Sequence, residues 1–175
     1  MQILENNSIR LRALEPEDLE TLYIWENDVS IWHLSNTLAP LSKYALKKYL
    51  ENAQSDIYET KQLRLIIELK QEKRPVGAID LFDFDPFHQR AGIGILISEL
   101  EDRGHGYASE ALDSLIHYSF HTLGLKQLYC NITEDNQQSL NLFIKKGFVI
   151  TGQKHDWIKR EDTWLTEYFL QLIRN

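Results

Sequence analysis

The sequence predicts an α/β (α+β) chain in which seven strands and four helices follow in the order β-α-α-β-β-β-α-β-α-β-β. Two observations support this prediction. Short apolar runs rich in β-branched residues are typical of strands, and they are separated by segments whose apolar residues recur every three or four positions, as in amphipathic helices. No repeat, low-complexity tract or change of composition marks a second domain. We therefore expect residues 1–175 to form a single domain.

The individual elements follow from local signals along the chain. Polar and apolar side chains alternate over residues 8–14, which predicts a first strand. Pro16 suits the first turn of a helix and Ser42 the N-cap of a second. Gly124 and Gly147 are natural stops for two further helices. The predicted elements are strands over 8–14, 63–69, 76–82, 90–98, 127–132, 148–157 and 162–173, helices over 16–28, 42–54, 107–123 and 136–146, and a connection over 83–89.

Composition excludes several classes of protein. A net charge of −7 argues against a general nucleic-acid surface, which needs clustered cations. Hydrophobic residues make up 43% of the chain, too many for a disordered protein, and no apolar run is long enough to predict a membrane span. The first residues do not resemble a signal peptide, and the lone Cys130 cannot form an internal disulfide. We therefore expect a cytoplasmic protein, and no metal site is predicted.

A glycine-containing segment, Arg103-Gly104-His105-Gly106-Tyr107-Ala108-Ser109, lies between a predicted strand and a predicted helix. The first N–H groups of a helix have no partner within it, and the helix dipole is positive there. Glycines let this backbone approach a phosphate closely, and Arg103 adds a permanent cation. The segment is neither a P-loop nor a dinucleotide fingerprint. It predicts a site for a cofactor pyrophosphate, although glycines at such a turn can serve the turn alone.

Two motifs resemble those of one family. Arg103-x-x-Gly106-x-Ala108 resembles the Arg/Gln-x-x-Gly-x-Gly/Ala signature of the GNAT superfamily of acyl-CoA N-acyltransferases. The segment 136–148 resembles the second cofactor motif of that family, Asn-x-x-Ala/Ser-x-x-x-Tyr-x-x-x-Gly-Phe. The predicted order of elements also matches the GNAT fold over essentially the whole chain. The resemblance implies acetyl-CoA as the cofactor and a mixed, mostly antiparallel central sheet of about seven strands flanked by four helices.

The resemblance also implies roles for individual residues. The loop would bind the pyrophosphate, a backbone N–H of Leu96 or Ile97 would face the acetyl carbonyl, and Asn136 would contact the pantetheine arm as well as cap its helix. Lys145 is either near the cofactor phosphates or an ordinary helix-end charge. The expected cofactor-binding residues are Leu96, Ile97, Arg103, Gly104, His105, Gly106, Tyr107, Ala108, Ser109, Asn136, Ser139, Phe143 and Lys145.

The sequence departs from the family at two catalytic positions. Phe143 stands where many members carry a tyrosine that protonates the leaving thiolate, and Phe has no proton to give. Gly92 and Gly94 stand where the family often has a glutamate base. The catalytic candidates that remain are Asp83, Glu99 and Ser139, although Ser139 could equally be a small packing residue. Candidate acceptor-binding residues are Glu26, Asp80, Asp83, His88 and Tyr129.

Cys130 follows Tyr129 in a predicted strand, so only one of the two side chains can face the cleft. We expect Cys130 to be a buried apolar residue rather than a nucleophile that carries the acyl group.

The segment 83–94 is similar to the branch that contains ribosomal-protein alanine acetyltransferases and spermidine acetyltransferases. The chain is thus predicted to be an N-acetyltransferase that moves an acetyl group from acetyl-CoA to a primary amine by direct attack in a ternary complex. The acceptor would be a polyamine, another small amine or a protein N-terminus. The alternative is a non-catalytic acetyl-CoA-binding sensor or relic of the same fold. An exposed edge of the terminal hairpin could form a homodimer.

Overall fold

The computed structural model describes residues 4–35 and 37–175, with residues 34 and 35 described by their backbone only. In this part of the chain, seven strands form one sheet. They are β1 (Ile9–Arg12), β2 (Leu63–Leu69), β3 (Arg74–Asp85), β4 (Arg90–Ile97), β5 (Gln127–Thr133), β6 (Val149–Arg160) and β7 (Thr163–Ile173). The helices are α1 (Leu19–Glu26), α2 (Trp32–Ser35), α3 (Lys43–Asn52), α4 (Ile57–Thr60), α5 (Tyr107–His121) and α6 (Gln137–Lys145).

The strands lie in the order β1-β2-β3-β4-β5-β7-β6. Every neighbouring pair is antiparallel except β4 and β5, which are parallel. The mixed, mostly antiparallel sheet is therefore confirmed. The four predicted helices are also present as α1, α3, α5 and α6, and the single-turn helices α2 and α4 were not predicted.

Several boundaries differ from the prediction by a few residues, and two of these differences have clear physical reasons. Residues 16–18 form a 3-10 turn before α1, because the Arg12 guanidinium and the Glu15 N–H hold the Asp18 carboxylate in the first turn. The predicted connection over 83–89 is too long, since β3 continues to Asp85. Asp83 adopts a left-handed conformation (φ 48°) within a bulge of β3, which lets the strand continue beyond it.

Helices cover the sheet on both faces. On one face, α5 and α6 bury residues such as Leu112 and Phe143 in the larger core. On the opposite face, which we call the α1 face, Leu22 of α1 and Leu50 of α3 pack against Ile66 of β2 and neighbouring strand residues. Side chains of directly paired residues share a face, so the strand register assigns each site residue to one face or the other.

The strand β6 forms one edge of the sheet. Exposed apolar side chains lie on and beside it, among them Val149, Ile150 and Trp157. In the described ranges, no helix is both long and apolar enough to cross a membrane. The same ranges contain no group of three or more His, Cys, Asp or Glu residues arranged to hold a metal ion.

Candidate functional site

A cleft opens where the two parallel strands separate. Strands β4 and β5 pair only from Arg90 to Gly92 with Gln127 to Tyr129. Beyond the Gly92–Tyr129 pair they diverge around a cavity of about 460 Å³, lined by residues 93–97 of β4 and 130–133 of β5. The backbone edges that face this cleft are not used for pairing between the two strands. They can therefore bind an extended, amide-containing ligand.

The glycine loop closes one end of the cavity. Gly104 and Gly106 both have left-handed backbones (φ 82° and 87°), and a Cβ added to either would meet no atom within 4 Å. Gly106 is the N-cap of α5 and offers no side chain to cover the first N–H groups. Tyr107, Ala108 and Ser109 of that first turn line the cavity. This open cradle at a positive helix end fits a pyrophosphate.

Two arginines fix the loop in place. Arg103 lines the cavity and donates from Nε to the Ile97 carbonyl (3.1 Å) and from Nη2 to the Ser98 carbonyl (3.2 Å). Asp102, which is buried, accepts two hydrogen bonds of 2.8 Å from Arg74 at the start of β3. These hydrogen bonds hold the pKa of Asp102 below its usual value. The loop is therefore anchored to β4 and to β3.

The helix α6 forms the wall opposite the loop. Asn136 caps it, as predicted, by accepting a hydrogen bond from the Ser139 N–H (3.2 Å), and both residues line the cavity. Phe143 also lines the cavity, and its ring packs edge-on against Phe148 with centroids 5.0 Å apart. The phenyl ring thus stands at the cavity wall where the family usually places a hydroxyl.

Cys130 lines the cavity, and Tyr129 does not. Cys130 is 2% exposed, and burial raises the pKa of its thiol to about 12. It is therefore protonated at neutral pH, and a protonated thiol is a poor nucleophile.

The structure brings together all the predicted cofactor-binding residues except two. His105 is exposed, stacks on Tyr107 and does not line the cavity. Lys145 is exposed at the end of α6, also outside the lining. The residues that do line it are Leu96, Ile97, Arg103, Gly104, Gly106, Tyr107, Ala108, Ser109, Asn136, Ser139 and Phe143.

Four of the five predicted acceptor residues fall into two groups outside the cavity lining. Glu26 and Asp80 lie on either side of Arg64, which donates to Glu26 Oε1 at 2.6 Å and to Asp80 Oδ1 at 2.7 Å. Tyr129 donates a hydrogen bond to Asp83 (3.1 Å) at the vertex of the cleft. Burial and the neighbouring Asp83 carboxylate raise the pKa of Tyr129 to about 12.

The two remaining predicted residues, His88 and Glu99, do not line the cavity either. His88 is exposed in the β3–β4 turn, and its backbone N–H binds Asp85 (2.9 Å). Glu99 is exposed and lines a separate depression beside the cavity, together with Arg160. No carboxylate of the predicted set therefore lines the cavity itself.

Sequence reasoning missed a different carboxylate, Glu167 of β7, which is 8% exposed and lines the cavity. Asn131 and Thr133 of β5 and Gln138 of α6 line it too. A glutamate in the middle of a predicted strand was the available signal, because glutamates are seldom buried without a partner.

Phe82 of β3 fills the space over Gly92. A Cβ added to Gly92 would lie 2.2 Å from the Phe82 ring, closer than any real contact. The ring also packs against Tyr129, with centroids 5.9 Å apart. An aromatic side chain therefore occupies the place beside β4 where a residue larger than glycine would project.

Comparisons with known proteins agree with this geometry. A family model described as an acetyltransferase (GNAT) domain matches residues 8–149. The spermidine N(1)-acetyltransferase of Escherichia coli strain K12 is 28% identical over 150 residues, which cover 84% of this chain and 76% of that protein. The ribosomal-protein-serine acetyltransferase of the same strain is 29% identical over 82 residues, which cover 47% and 45% of the two chains.

A solved structure shares the fold. The spermidine N-acetyltransferase from Vibrio cholerae, in complex with CoA and spermine, superposes with a TM-score of 0.86, 23% identity and coverage of 96% of each chain. A dodecameric form of that enzyme superposes with a TM-score of 0.79 and 24% identity, covering 96% of this chain and 95% of that one. With most of the chain matched by the family model, the protein belongs to the GNAT acetyltransferase family and is an acetyl-CoA-dependent N-acetyltransferase that acts on an amine.

Proposed function

We propose that this enzyme acetylates a small cationic amine of the polyamine class, such as spermidine, by direct attack within a ternary complex. The observation that carries the proposal is the opening of the sheet beyond the Gly92–Tyr129 pair. An acetyl-CoA molecule bound between β4 and β5 is then accessible to the acceptor amine from the α1 face, where Gly94 has no side chain to block the approach. The proposal treats residues 1–175 as one domain, supported by the single sheet that joins β1 to β7.

The donor site follows from the cavity. We assign the pyrophosphate to the N–H groups of 104–109 and the pantetheine arm to the free backbone edge of β4, including Leu96 and Ile97. Asn136 and Ser139 would contact the arm from α6. When bound, acetyl-CoA supplies the activated acetyl carbonyl, which needs a hydrogen-bond donor as negative charge develops on its oxygen. A backbone N–H of β4 on the edge that is not paired with β5 suits that role.

Direct transfer is favoured over an acetyl-enzyme because of Cys130. It is the single cysteine of the chain, and its thiol is held protonated by burial. In direct transfer the amine nitrogen forms the new C–N bond, the C–S bond breaks, the amine loses one proton and the departing thiolate gains one. A C130A variant should keep acetyltransferase activity, and no acetylated enzyme should be found by mass spectrometry after incubation with acetyl-CoA alone.

The proton that the amine loses and the proton that the thiolate gains must be transferred by groups other than Cys130. Ser139 is the hydroxyl of the predicted catalytic set that lines the cavity, so we assign it to the thiolate side. Asp83 remains a candidate base through the hydroxyl of Tyr129, since the pair stands at the vertex of the cleft. Glu99 could act only from the neighbouring depression.

A polyamine acceptor is supported by the acidic balance of the chain and by the spermidine acetyltransferases it resembles. A net charge of −7 raises the local concentration of cations near the surface. The alternative acceptor predicted from the sequence is a protein N-terminus. The cytoplasmic location and the homodimer through the β6 edge also stay predictions.

The test is release of free thiol from acetyl-CoA with spermidine, spermine, aminoglycosides or short peptides as acceptors. We expect polyamines to stimulate release and peptides to leave it at the background rate. Stimulation by peptides alone would contradict the polyamine assignment. A G106E variant, which should not bind the donor, gives the background.

A further inference from the structure

One of the carboxylates that line the cavity takes no part in anchoring the glycine loop. Among the described residues that line it, Asp102 and Glu167 are the two acids. Both oxygens of Asp102 accept hydrogen bonds from Arg74. Glu167 accepts through Oε2 from Lys154 (2.7 Å), and no partner within the described chain is recorded for its Oε1. Glu167 is therefore the carboxylate available to a ligand.

The strand register places Glu167 on the face from which the acceptor would approach. Thr133 of β5 pairs directly with Glu167, and Asn131 pairs with Phe169. Tyr129, two residues earlier in β5, pairs with Gly92 and contacts the rings of Phe82 and Phe169. These side chains share the α1 face, because positions two apart in a strand point the same way. Glu167 thus lies on the same face as the glycines of β4.

Lys154 completes an arrangement that suits an alkylammonium ion. Its Nζ lies 2.7 Å from Glu167 Oε2, 3.4 Å from the Asn131 side-chain oxygen and 5.1 Å from the centroid of the Trp157 ring. A carboxylate, an amide oxygen and an aromatic face are the groups that bind organic cations. A protonated acceptor amine has the same chemistry as the lysine side chain.

The two partners differ in exposure. The Lys154 side chain is 39% exposed and that of Glu167 only 11%. Lys154 lies on the edge strand β6, whose register shifts directly after it. The lysine can therefore move into solvent while the buried carboxylate stays in the wall.

We propose that Glu167 and Asn131 form the subsite for a cationic nitrogen of the acceptor, and that Lys154 fills this subsite until the acceptor displaces it. This inference rests on the proposed function, in that the acceptor is a cationic amine. Lys154 then has two effects. It keeps a buried carboxylate paired in the free enzyme, and it lowers the apparent affinity for the acceptor by competing for the same oxygens.

The experiment is a calorimetric titration of spermidine into CoA-saturated enzyme, for the wild type and the variants E167Q, K154M and E167Q/K154M. Matched controls are E51Q and K47M, which change an exposed acid and an exposed lysine of α3. We expect E167Q to weaken spermidine binding roughly ten- to hundred-fold, the loss typical of a hydrogen bond to a charged group. K154M should tighten it about three-fold or more, because the competing ammonium is gone. The double variant should bind like E167Q, and acetyl-CoA affinity should be unchanged throughout.

Each possible outcome supports or contradicts a specific part of the proposal. If K154M weakens spermidine binding as much as E167Q does, the pair is a structural unit and the displacement is refuted. Unchanged binding in E167Q refutes the subsite even if the wild type acetylates spermidine. Binding that depends on Glu167 without amine-stimulated thiol release would keep the subsite and overturn the proposed function. Absence of spermidine binding to the wild type contradicts both. Should E167Q not fold, K154M still tests the displacement, since it leaves the carboxylate in place.

Discussion

The contact between Phe82 and Gly92 makes a sharp prediction for the substitution Gly92→Ala. The added Cβ would lie 2.2, 2.4 and 2.6 Å from three atoms of the Phe82 ring. The ring cannot stay where it is, and turning it away separates it from Tyr129, against which it packs at 5.9 Å. Gly94, two residues along the same strand and on the same face, gives the matched control. Its added Cβ meets Phe82 at 3.7 Å, an ordinary contact.

The magnitude follows from two opposing effects. Replacing glycine by alanine at a compatible position stabilises a protein by about 0.4–1 kcal/mol, because the unfolded chain loses freedom. This gain should be similar at both positions. Overpacking costs about 1–3 kcal/mol, and only Gly92→Ala incurs it. We therefore expect G94A to be as stable as the wild type or slightly more so, and G92A to be less stable than G94A by about 1–3 kcal/mol.

Urea unfolding followed by circular dichroism measures this difference, and thermal melting should show a gap of roughly 2–12 °C between the variants. A double-mutant cycle with F82A identifies the cause. In the F82A background the ring is absent, so Gly92→Ala should cost nothing. Equal stability of G92A and G94A, or a cost that persists without the ring, would refute the steric explanation.

Three further substitutions test the donor site. G106E should abolish acetyl-CoA binding in calorimetry, because the position needs φ 87° and the new carboxylate would occupy the phosphate cradle; retained affinity would contradict that placement. F143Y should raise kcat, by up to about 10²-fold, with unchanged acetyl-CoA affinity, whereas an unchanged rate would show that another group already protonates the thiolate. D102N should lower the free energy of unfolding at pH 7 by about 1–2 kcal/mol, since Arg74 is partly exposed. The pKa of Asp102 is lowered in the folded state, so its contribution is present above the unfolded value near pH 4 and is lost below it. The stability gap between D102N and the wild type should therefore be constant above about pH 4 and narrow as the pH falls below that value toward the folded-state pKa, and a gap that stays constant at low pH would exclude the ion pair as its cause.

The local geometry of the candidate donor site could be predicted because its signals are local. The loop 103–109 needs a left-handed backbone at Gly104 and Gly106, and only a sequence with glycines there provides it without strain. Asn136 caps α6 from the position that its type and spacing indicate. Both features lie within a few consecutive residues, so the sequence alone is sufficient to find them.

The acceptor half depends on which distant residues become neighbours. Glu26 and Asp80 looked like free acids, but Arg64 lies between them, 38 residues from one and 16 from the other. Glu167 looked like an ordinary strand residue, and only its pairing with Thr133 brings it to the cavity. Strand register and long-range ion pairing were the missing information. The single-turn helices α2 and α4 were missed for a different reason, since four residues are too few for a periodic pattern.

The residues around Gly92 also affect which group could take the proton from an acceptor amine. Gly92 and Gly94 stand where the family often has a glutamate, and the ring of Phe82 fills the space in front of Gly92. A glutamate cannot be introduced at position 92 without moving the Phe82 ring, whereas position 94 leaves room for a side chain. Acids on that face include Asp80 and Glu26, which are both held by Arg64, and Glu167, which is held by the more exposed Lys154. Releasing Glu167 requires only that one lysine move into solvent. Any account of catalysis through a carboxylate at this cavity must therefore consider Glu167 before Asp80.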